Sequence, residues 1–280
     1  MKHTEPKRFR HTLGEIDWYC ELLGSGPTIV LIPSGEGDCA NFAAVADALS
    51  DEFTVLTFDT PGFSRSSAPP ASIHPLLLAG QIAGLVSSLD LAPATFYGCS
   101  SGGIAALSLA ADHPEIVRNI VVHEAALVKD VAWPEAARAR FVQLGNLDDD
   151  GIVKACKDWF RNGMNSNPAA WDALGPDYHQ RLEKNYVTWV RRYGSASGEF
   201  PSYGREALTR RPIAWSIGGF SEVHFAISNL RVARRGDIDV EILTCKHFPQ
   251  VEIPEVLASH IRKHAKEHLS PPERGRSVRS

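Results

Sequence analysis

The stretch "FYGCSSGGIAALSLAADHP", residues 96–114, joins a short apolar run to a segment with helical spacing. Its residues 98–102, "GCSSG", match G-x-S-x-G at the junction between a predicted strand and a predicted helix. A serine at such a junction sits in a sharp turn, and small neighbours leave room for the backbone. We therefore predict that Ser100 is a nucleophile, that Ser101 offers its backbone N–H, and that Cys99 packs beneath the sheet.

The regions on both sides of this turn alternate between strand-like and helix-like patterns. Short apolar runs bounded by turn residues predict strands, and apolar residues every three or four positions predict helices. The predicted strands are 26–33, 53–59, 94–98, 119–124, 211–219 and 237–245. The predicted helices outside the longest insertion are 41–50, 76–91, 101–114 and 255–269. This alternation predicts an α/β fold with a mostly parallel sheet and helices on both faces.

The alternation breaks between the fourth and fifth predicted strands. Residues 125–211 contain helix-like segments and no convincing strand, so we expect an inserted helical cap. The α/β core then comprises residues 1–124 and 212–269. The tail, residues 270–280, is rich in Pro, Ser and Arg and is expected to be flexible.

Composition narrows the function classes. The 280-residue chain carries a net charge of −4, with 44% hydrophobic and 22% charged residues, which is ordinary for a globular enzyme. This charge gives no reason to expect nucleic acid or an anionic membrane as a partner. No apolar run approaches the roughly 20 residues that span a bilayer. Five scattered cysteines without a C-x-x-C pair argue against a disulfide framework and predict a cytoplasmic protein.

The general base is expected downstream of the serine. A serine hydroxyl is a weak nucleophile until a base removes its proton, and in proteins with this turn an acid and then a histidine follow the serine. His247 lies just after the last predicted strand and is the predicted base, with His224 a weaker candidate. Pro249 and Pro254 are expected to keep this segment from becoming helical.

Three further histidines, His260, His264 and His268, are spaced four residues apart on the last predicted helix. Such spacing can bind a metal ion, but a solvated helix face is the more common reason for it. We expect no metal site and no cofactor.

Two carboxylates compete for the role of the acid that orients His247. Glu222 follows the fifth predicted strand, where this fold usually carries the acid, although an acid in the first turn of a helix is also favoured by the helix dipole. Glu124 ends the fourth predicted strand, where a buried acid needs a partner. Spacing along the chain leaves both open.

The loop after the first predicted strand is the candidate oxyanion hole. It reads "IPSGEGDC", residues 32–39, and Gly35 can bring a backbone N–H towards the carbonyl adduct of Ser100. Together with the N–H of Ser101 it would give two donors for the tetrahedral oxyanion.

Several longer phrases carry a family resemblance. They are "TFDTPGFSRSSAPP" (57–70), "YGCSSG" (97–102), "HE" (123–124), "AWDALGPDYHQRLEKNYVTW" (170–189) and "HFPQV" (247–251). On these phrases the chain resembles the α/β-hydrolases, and more narrowly the fungal zearalenone lactone hydrolases. The resemblance covers most of the chain, and the cap phrase is its most specific part because cap sequences vary widely among these enzymes.

The resemblance implies an α/β-hydrolase fold and a serine hydrolase that cleaves the ester bond of a macrocyclic resorcylic-type lactone such as zearalenone. It assigns the nucleophile to Ser100, the acid to Glu124 and the base to His247, and so favours Glu124 over Glu222. The implied partner is a small hydrophobic substrate, and a homodimer is also implied.

The resemblance also assigns the oxyanion amides to Gly35 and Ser101, and it makes Trp189 a lining residue of the lactone pocket. The other tryptophans considered are expected to pack among helices rather than to contact substrate; they are Trp133, Trp159, Trp171 and Trp215.

Three positions depart from the family pattern. Ser34 stands where the family has an aspartate before the oxyanion glycine, Val187 replaces a proline, and Gln250 replaces a tyrosine. Ser34 is a predicted substrate-binding residue, so these changes leave other substrates open. The alternatives are a carboxylesterase or C–C bond hydrolase acting on another small hydrophobic substrate, and a slow-turnover ligand receptor of the same fold.

Overall fold

A computed structural model describes residues 5–129, 134–194, 196 and 199–269. The predicted tail, residues 270–280, and Trp133 lie outside these residues. In the part of the chain that is described, no helix is both long enough and apolar enough to cross a membrane.

An eight-stranded sheet forms the centre of the protein. Its strands are β1 (Lys7–Leu13), β2 (Ile16–Leu23), β3 (Thr28–Ile32), β4 (Thr54–Phe58), β5 (Ala94–Cys99), β6 (Val117–His123), β7 (Ile213–Gly218) and β8 (Val240–Leu243). Their spatial order is β1-β2-β4-β3-β5-β6-β7-β8, and β3 to β8 are parallel. The six strands predicted from sequence are all present, and the predicted fold class is confirmed.

The antiparallel hairpin of β1 and β2 was not predicted. β1 is an edge strand of mostly exposed charged and polar residues, so it has no buried apolar pattern to mark it. β2 pairs with β4 on its other side and directs Trp18 and Cys20 into the core. Only alternate residues of β2 are therefore buried. Such alternation is a weaker sequence signal for a strand than a continuous apolar run.

Eleven α-helices are present in the described residues. They are α1 (Ala43–Leu49), α2 (Leu78–Ser88), α3 (Ser101–Asp112), α4 (Glu135–Gly145), α5 (Asp149–Asp158), α6 (Pro168–Asp172), α7 (Pro176–Thr188), α8 (Arg205–Thr209), α9 (Val223–Arg235), α10 (Pro249–Glu252) and α11 (Pro254–Glu267). Successive strand residues belong to different apolar clusters, one on each face of the sheet. Phe96 packs with α2 and α3, whereas Tyr97 packs with α1 and α11. Both faces of the sheet are therefore covered, as parallel strands require.

The segment between β6 and β7, residues 125–211, is called the cap segment below. Its described residues contain α4 to α8 and two π-helical turns, Trp159–Gly163 and Trp189–Gly194, and no strand. Apolar side chains from this segment belong to the same cluster as α1 and α11. The cap segment therefore packs against the carboxyl-terminal side of the sheet where the strand-end loops meet.

Candidate active site

Ser100 occupies a strained turn between β5 and α3. Its backbone has φ 57° and ψ −122°, and its N–H donates to the carbonyl of His123 at 3.2 Å. A Cβ at Gly98 would lie 2.1 Å from the carbonyl oxygen of Gly102, and one at Gly102 would lie 2.6 Å from that of Pro33. Only glycine fits at these two positions, so the G-x-S-x-G pattern is the steric requirement of this turn.

Cys99, the neighbouring sulfur nucleophile, points away from the serine. It is fully buried, and its Sγ donates a hydrogen bond to the carbonyl oxygen of His247 at 3.0 Å. Burial raises the pKa of the Cys99 thiol well above its ordinary value, so the reactive thiolate is disfavoured. Its position beneath the sheet agrees with the packing role expected from sequence.

His247 and Glu124 are brought together by the ends of β8 and β6. Nδ1 of His247 donates to Oε2 of Glu124 at 2.7 Å, and both side chains are buried. The same carboxylate accepts the N–H of Gly218 at 2.8 Å and the hydroxyl of Ser221 at 2.9 Å. Burial would raise the pKa of Glu124, but the hydrogen bond from His247 and the nearby charges outweigh it and hold that pKa below its ordinary value.

The other ring nitrogen of His247, Nε2, is buried and has no hydrogen-bond partner among the described residues, Ser100 included. Phe225 stacks on the imidazole, with ring centroids 4.3 Å apart. With Nδ1 committed to Glu124, the neutral imidazole keeps the lone pair of Nε2 available for a proton.

Glu222 lies elsewhere. It precedes α9, is about one-third exposed, and accepts a hydrogen bond from Arg140 at 3.0 Å. Oε2 of Glu222 lies 3.6 Å from Nδ1 of His224, the weaker base candidate. Of the two carboxylates left open by spacing, the structure puts Glu124 beside His247 and Glu222 in a surface ion pair.

The loop that carries His247 is braced by Glu252. The N–H groups of Lys246 and Phe248, on either side of the histidine, donate to the Glu252 carboxylate at 2.9 and 3.2 Å. The expectation that prolines exclude helix here is wrong, because Pro249 begins α10 and Pro254 begins α11. Proline is favoured in the first turn of a helix, since its missing N–H has no intrahelical partner there. Glu252 itself was not singled out from sequence.

Gly35 lies at the end of β3, against the indole of Trp189. A Cβ on Gly35 would come within 2.7 Å of Nε1 of Trp189, so the cap side chain reaches the backbone of this loop. Gly35, Ser100 and Ser101 all line one cavity. The structure therefore brings the predicted oxyanion residues to the same wall as the predicted nucleophile.

The space in and around this cavity, part of it open to solvent, is about 530 Å³, and the cavity surface is overwhelmingly apolar. The aromatic residues in its wall are Phe141, Trp159, Phe160, Trp189, Tyr193, Phe200, Phe225 and Phe248. The indole of Trp189 contacts three of them, with ring centroids 5.5 to 5.9 Å away. Such a cleft suits a small hydrophobic ligand with few polar groups.

The remaining tryptophans differ in position. Trp159 lines the cavity, against the expectation of helix packing alone. Trp171 and Trp215 are buried, and their Nε1 atoms donate to Glu36 and Asn229. The aromatic wall contributed by phenylalanines was not predicted, because no spacing rule links residues from β-strand loops and cap helices.

Two of the three departures from the family pattern, Ser34 and Gln250, lie in the protein interior, whereas Val187 is half-buried. Ser34 and Gln250 are 3% and 1% exposed, and the hydroxyl of Ser34 and both amide atoms of Gln250 lack a hydrogen-bond partner among the described residues. Neither residue is part of the cavity wall. The predicted contact between Ser34 and substrate stays a prediction.

Glu36 joins the oxyanion loop to the cap segment and was missed by the sequence analysis. Its carboxylate is fully buried and accepts hydrogen bonds from Tyr178 at 2.7 Å, Trp171 at 3.2 Å and Tyr186 at 3.3 Å. Its backbone carbonyl accepts the amide N–H of Asn185 at 2.7 Å. Four cap side chains thus hold the residue that follows Gly35.

Neutralising Glu36 is expected to change how stability depends on pH. Burial raises the pKa of Glu36 from 4.5 to about 6, although its three aromatic donors lower it. A raised pKa means that the folded protein binds this proton more tightly, so the stabilisation is present below pH 4.5 and is lost as the pH rises through 6. The loss amounts to about 2 kcal/mol, from ~1.4 kcal/mol for each pKa unit.

Unfolding free energies of the wild type and Glu36→Gln, measured in denaturant at pH 4.5 and 7, test this expectation. The glutamine variant should gain about 2 kcal/mol relative to the wild type between the two pH values. The matched control is Glu183→Gln, an exposed position on α7, whose difference from the wild type should stay constant. A Glu36→Gln difference that is independent of pH would contradict the assignment.

Comparison with known proteins agrees with this fold. The family model described as the alpha/beta hydrolase fold matches residues 27–151. The zearalenone hydrolase of Cladophialophora bantiana is 36% identical over 274 residues, covering 94% of this chain and 99% of that protein. The zearalenone hydrolase of Bionectria ochroleuca is 32% identical over 260 residues, covering 91% and 96%. The crystal structure of the enol-lactonase from Burkholderia xenovorans LB400 superimposes with a TM-score of 0.71 at 20% identity, covering 91% and 98%.

The chain therefore belongs to the α/β-hydrolase family and is a hydrolase. Within that family its sequence is similar to the fungal zearalenone hydrolases along nearly its whole length. The family resemblance found in the sequence is confirmed.

Proposed function

We propose that the protein is a serine hydrolase that opens the ester bond of a macrocyclic resorcylic-type lactone, zearalenone or a close analogue. The observation that carries the proposal is the 2.7 Å hydrogen bond between His247 and Glu124, in a protein whose strained Ser100 lines an apolar cavity. The relatives named zearalenone hydrolases support the substrate class.

In the proposed reaction Nε2 of His247 takes the proton of the Ser100 hydroxyl while its oxygen attacks the lactone carbonyl. Glu124 accepts the hydrogen bond that Nδ1–H of His247 donates, and its charge stabilises the imidazolium that forms. The N–H groups of Gly35 and Ser101 stabilise the tetrahedral oxyanion. Collapse of this adduct breaks the ester bond, and His247 returns the proton to the departing alkoxide.

The second half of the reaction releases the product. His247 takes a proton from water, the resulting hydroxide attacks the acyl-enzyme carbonyl, and the proton returns to the Ser100 oxygen as the acyl bond breaks. The product is a hydroxy acid, and a resorcylic acid of this kind can then lose carbon dioxide. The residues assigned to the steps need no cofactor.

The cap segment is proposed to select the substrate. The indole of Trp189 packs against Gly35 and also lines the cavity, so a resorcylic ring stacked on its cavity side would hold its ester carbonyl near Ser100. Ser34 is proposed as a polar contact, reached if its buried hydroxyl turns towards the substrate. We also propose a cytoplasmic location, supported by five cysteines that are all free and buried, while a homodimer stays a prediction from the resemblance.

Incubation of the purified protein with zearalenone, followed by mass spectrometry, tests the substrate. We expect a product heavier than the substrate by one water, or the same product after loss of carbon dioxide. The Ser100→Ala protein serves as the control and should leave zearalenone unchanged. Absence of a hydrolysed product, with the protein folded and the substrate in excess, would contradict the lactone proposal.

The alternatives give different results in the same assay series. A general carboxylesterase would hydrolyse short p-nitrophenyl esters much faster than any macrolactone. A C–C bond hydrolase would leave both ester types intact. A ligand receptor with slow turnover would give one burst of product per chain without steady-state hydrolysis.

A further inference from the structure

A cluster of potential metal ligands lies between the last strand and the last helix. Glu241 of β8 and His260 and His264 of α11 each offer one ligand atom, and these atoms lie within 4.8 Å of one another. Among the residues that the structure describes, no other group of three such side chains meets this condition. The two histidines share a face because residues four apart on a helix are neighbours.

The histidine face of α11 is not uniformly solvated, contrary to the expectation from sequence. His260 is 6% exposed, the His264 side chain is 13% exposed, and only His268 lies fully at the surface. Nε2 of His260 is buried and has no hydrogen-bond partner among the described residues.

Two of the separations among these side chains are close to those between the ligands of a zinc ion. Oε2 of Glu241 lies 3.5 Å from Nδ1 of His260, and Oε1 lies 3.0 Å from Nε2 of His264. Ligands bound to zinc at ~2.0–2.1 Å in a tetrahedron are about 3.3 Å apart, so the two distances bracket this value. The two separations start from different oxygens of Glu241, so binding one ion with both imidazoles would require a small rotation of this carboxylate.

A second carboxylate supports the arrangement from behind. Nδ1 of His264 lies 3.0 Å from Oε2 of Glu267, and Nε2 lies 3.0 Å from Oε1 of Glu241, so the tautomer that donates from Nδ1 would leave Nε2 to bind an ion beside Glu241. Metal-binding histidines usually donate their other N–H to a carboxylate in this way, which fixes the ring and increases its basicity. Lys263 is the competitor, because its Nζ lies 3.0 Å from Oε1 of Glu241.

We propose that Glu241, His260 and His264 form a Zn²⁺ site with water in the fourth position. Glu241 is partly exposed, so an ion can enter from solvent as Lys263 swings away. The site joins β8 to α11, and β8 leads into the loop that carries His247. A bound ion would therefore stabilise the fold rather than take part in ester cleavage.

Calorimetric titration of the purified protein with Zn²⁺ tests the site. We expect one ion per chain, with the dissociation constant at least about tenfold higher in Glu241→Gln and in His264→Gln. Lys263→Met should bind more tightly, because it removes the competing cation. The matched control is His268→Ala, an exposed residue that directly follows α11, and it should bind Zn²⁺ as the wild type does.

Two further measurements keep the result interpretable. Co²⁺ in place of Zn²⁺ should give the visible absorption bands of a tetrahedral site, and Zn²⁺ should raise the melting temperature of the wild type but not of Glu241→Gln. Thermal unfolding without metal establishes that each variant is folded. If His264→Gln does not fold, Glu241→Gln alone still tests the site, because Glu241 lies at a partly exposed strand position. Equal Zn²⁺ affinity in the wild type and Glu241→Gln would overturn the proposal.

Discussion

Ser100→Ala is expected to lower kcat for lactone opening by at least about 10⁴-fold, because the oxygen of Ser100 forms the acyl-enzyme in the proposed mechanism. Alanine keeps the Cβ and therefore the same strained backbone, so the loss should be chemical and not structural. Steady-state assays with the purified variant, together with circular dichroism, measure the two effects separately. The residual rate should reflect only binding and the oxyanion donors.

Cys99→Ala distinguishes the serine from its sulfur neighbour. The thiol is buried and makes one weak hydrogen bond to the carbonyl of His247, so its removal should cost no more than about tenfold in kcat. If Ser100→Ala kept near-normal activity, or if Cys99→Ala were the inactive variant, the proposed mechanism would be wrong.

The sequence was most informative where chemistry imposes a local shape. The serine turn needs glycine at two positions for steric reasons, and these glycines lie within five residues of one another. β3 and β4 were predictable because each is a short, largely apolar run, whereas the exposed edge strand β1 has no such run. His247 was predictable as the base because it follows the last strand, and its position relative to that strand can be read from the sequence.

Contacts that depend on the folded chain could not be predicted. Glu36 receives hydrogen bonds from residues 135 to 150 positions away, and nothing in the phrase "IPSGEG" marks it as a cap anchor. The same limit applies to Glu252, whose helix α10 is too short to carry a pattern. The acid was undetermined for a related reason, because β6 and β7 are adjacent and both end near β8's loop.

The largest effect after Ser100 is expected at Glu124. Glu124→Gln should lower kcat by about 10³- to 10⁴-fold, because the amide cannot stabilise the imidazolium and can favour the wrong tautomer of His247. The carboxylate also accepts hydrogen bonds from Gly218 and Ser221. In Glu124→Gln the amide NH₂ group would face one of the hydrogen-bond donors in a buried site, which is unfavourable. Kinetic assays and unfolding in denaturant should therefore both change.

Two companion variants separate catalysis from stability. Glu124→Asp keeps a carboxylate and should recover part of kcat, whereas a purely structural role would give no advantage to aspartate over glutamine. Glu222→Gln breaks a partly exposed ion pair with Arg140, and such pairs contribute about 0–1 kcal/mol, so its activity should stay near that of the wild type. The reverse pattern, with Glu222→Gln inactive and Glu124→Gln active, would move the acid to the loop after β7. That result would also leave Glu124 as a buried carboxylate whose three hydrogen bonds serve only to hold β6, β7 and the His247 loop together.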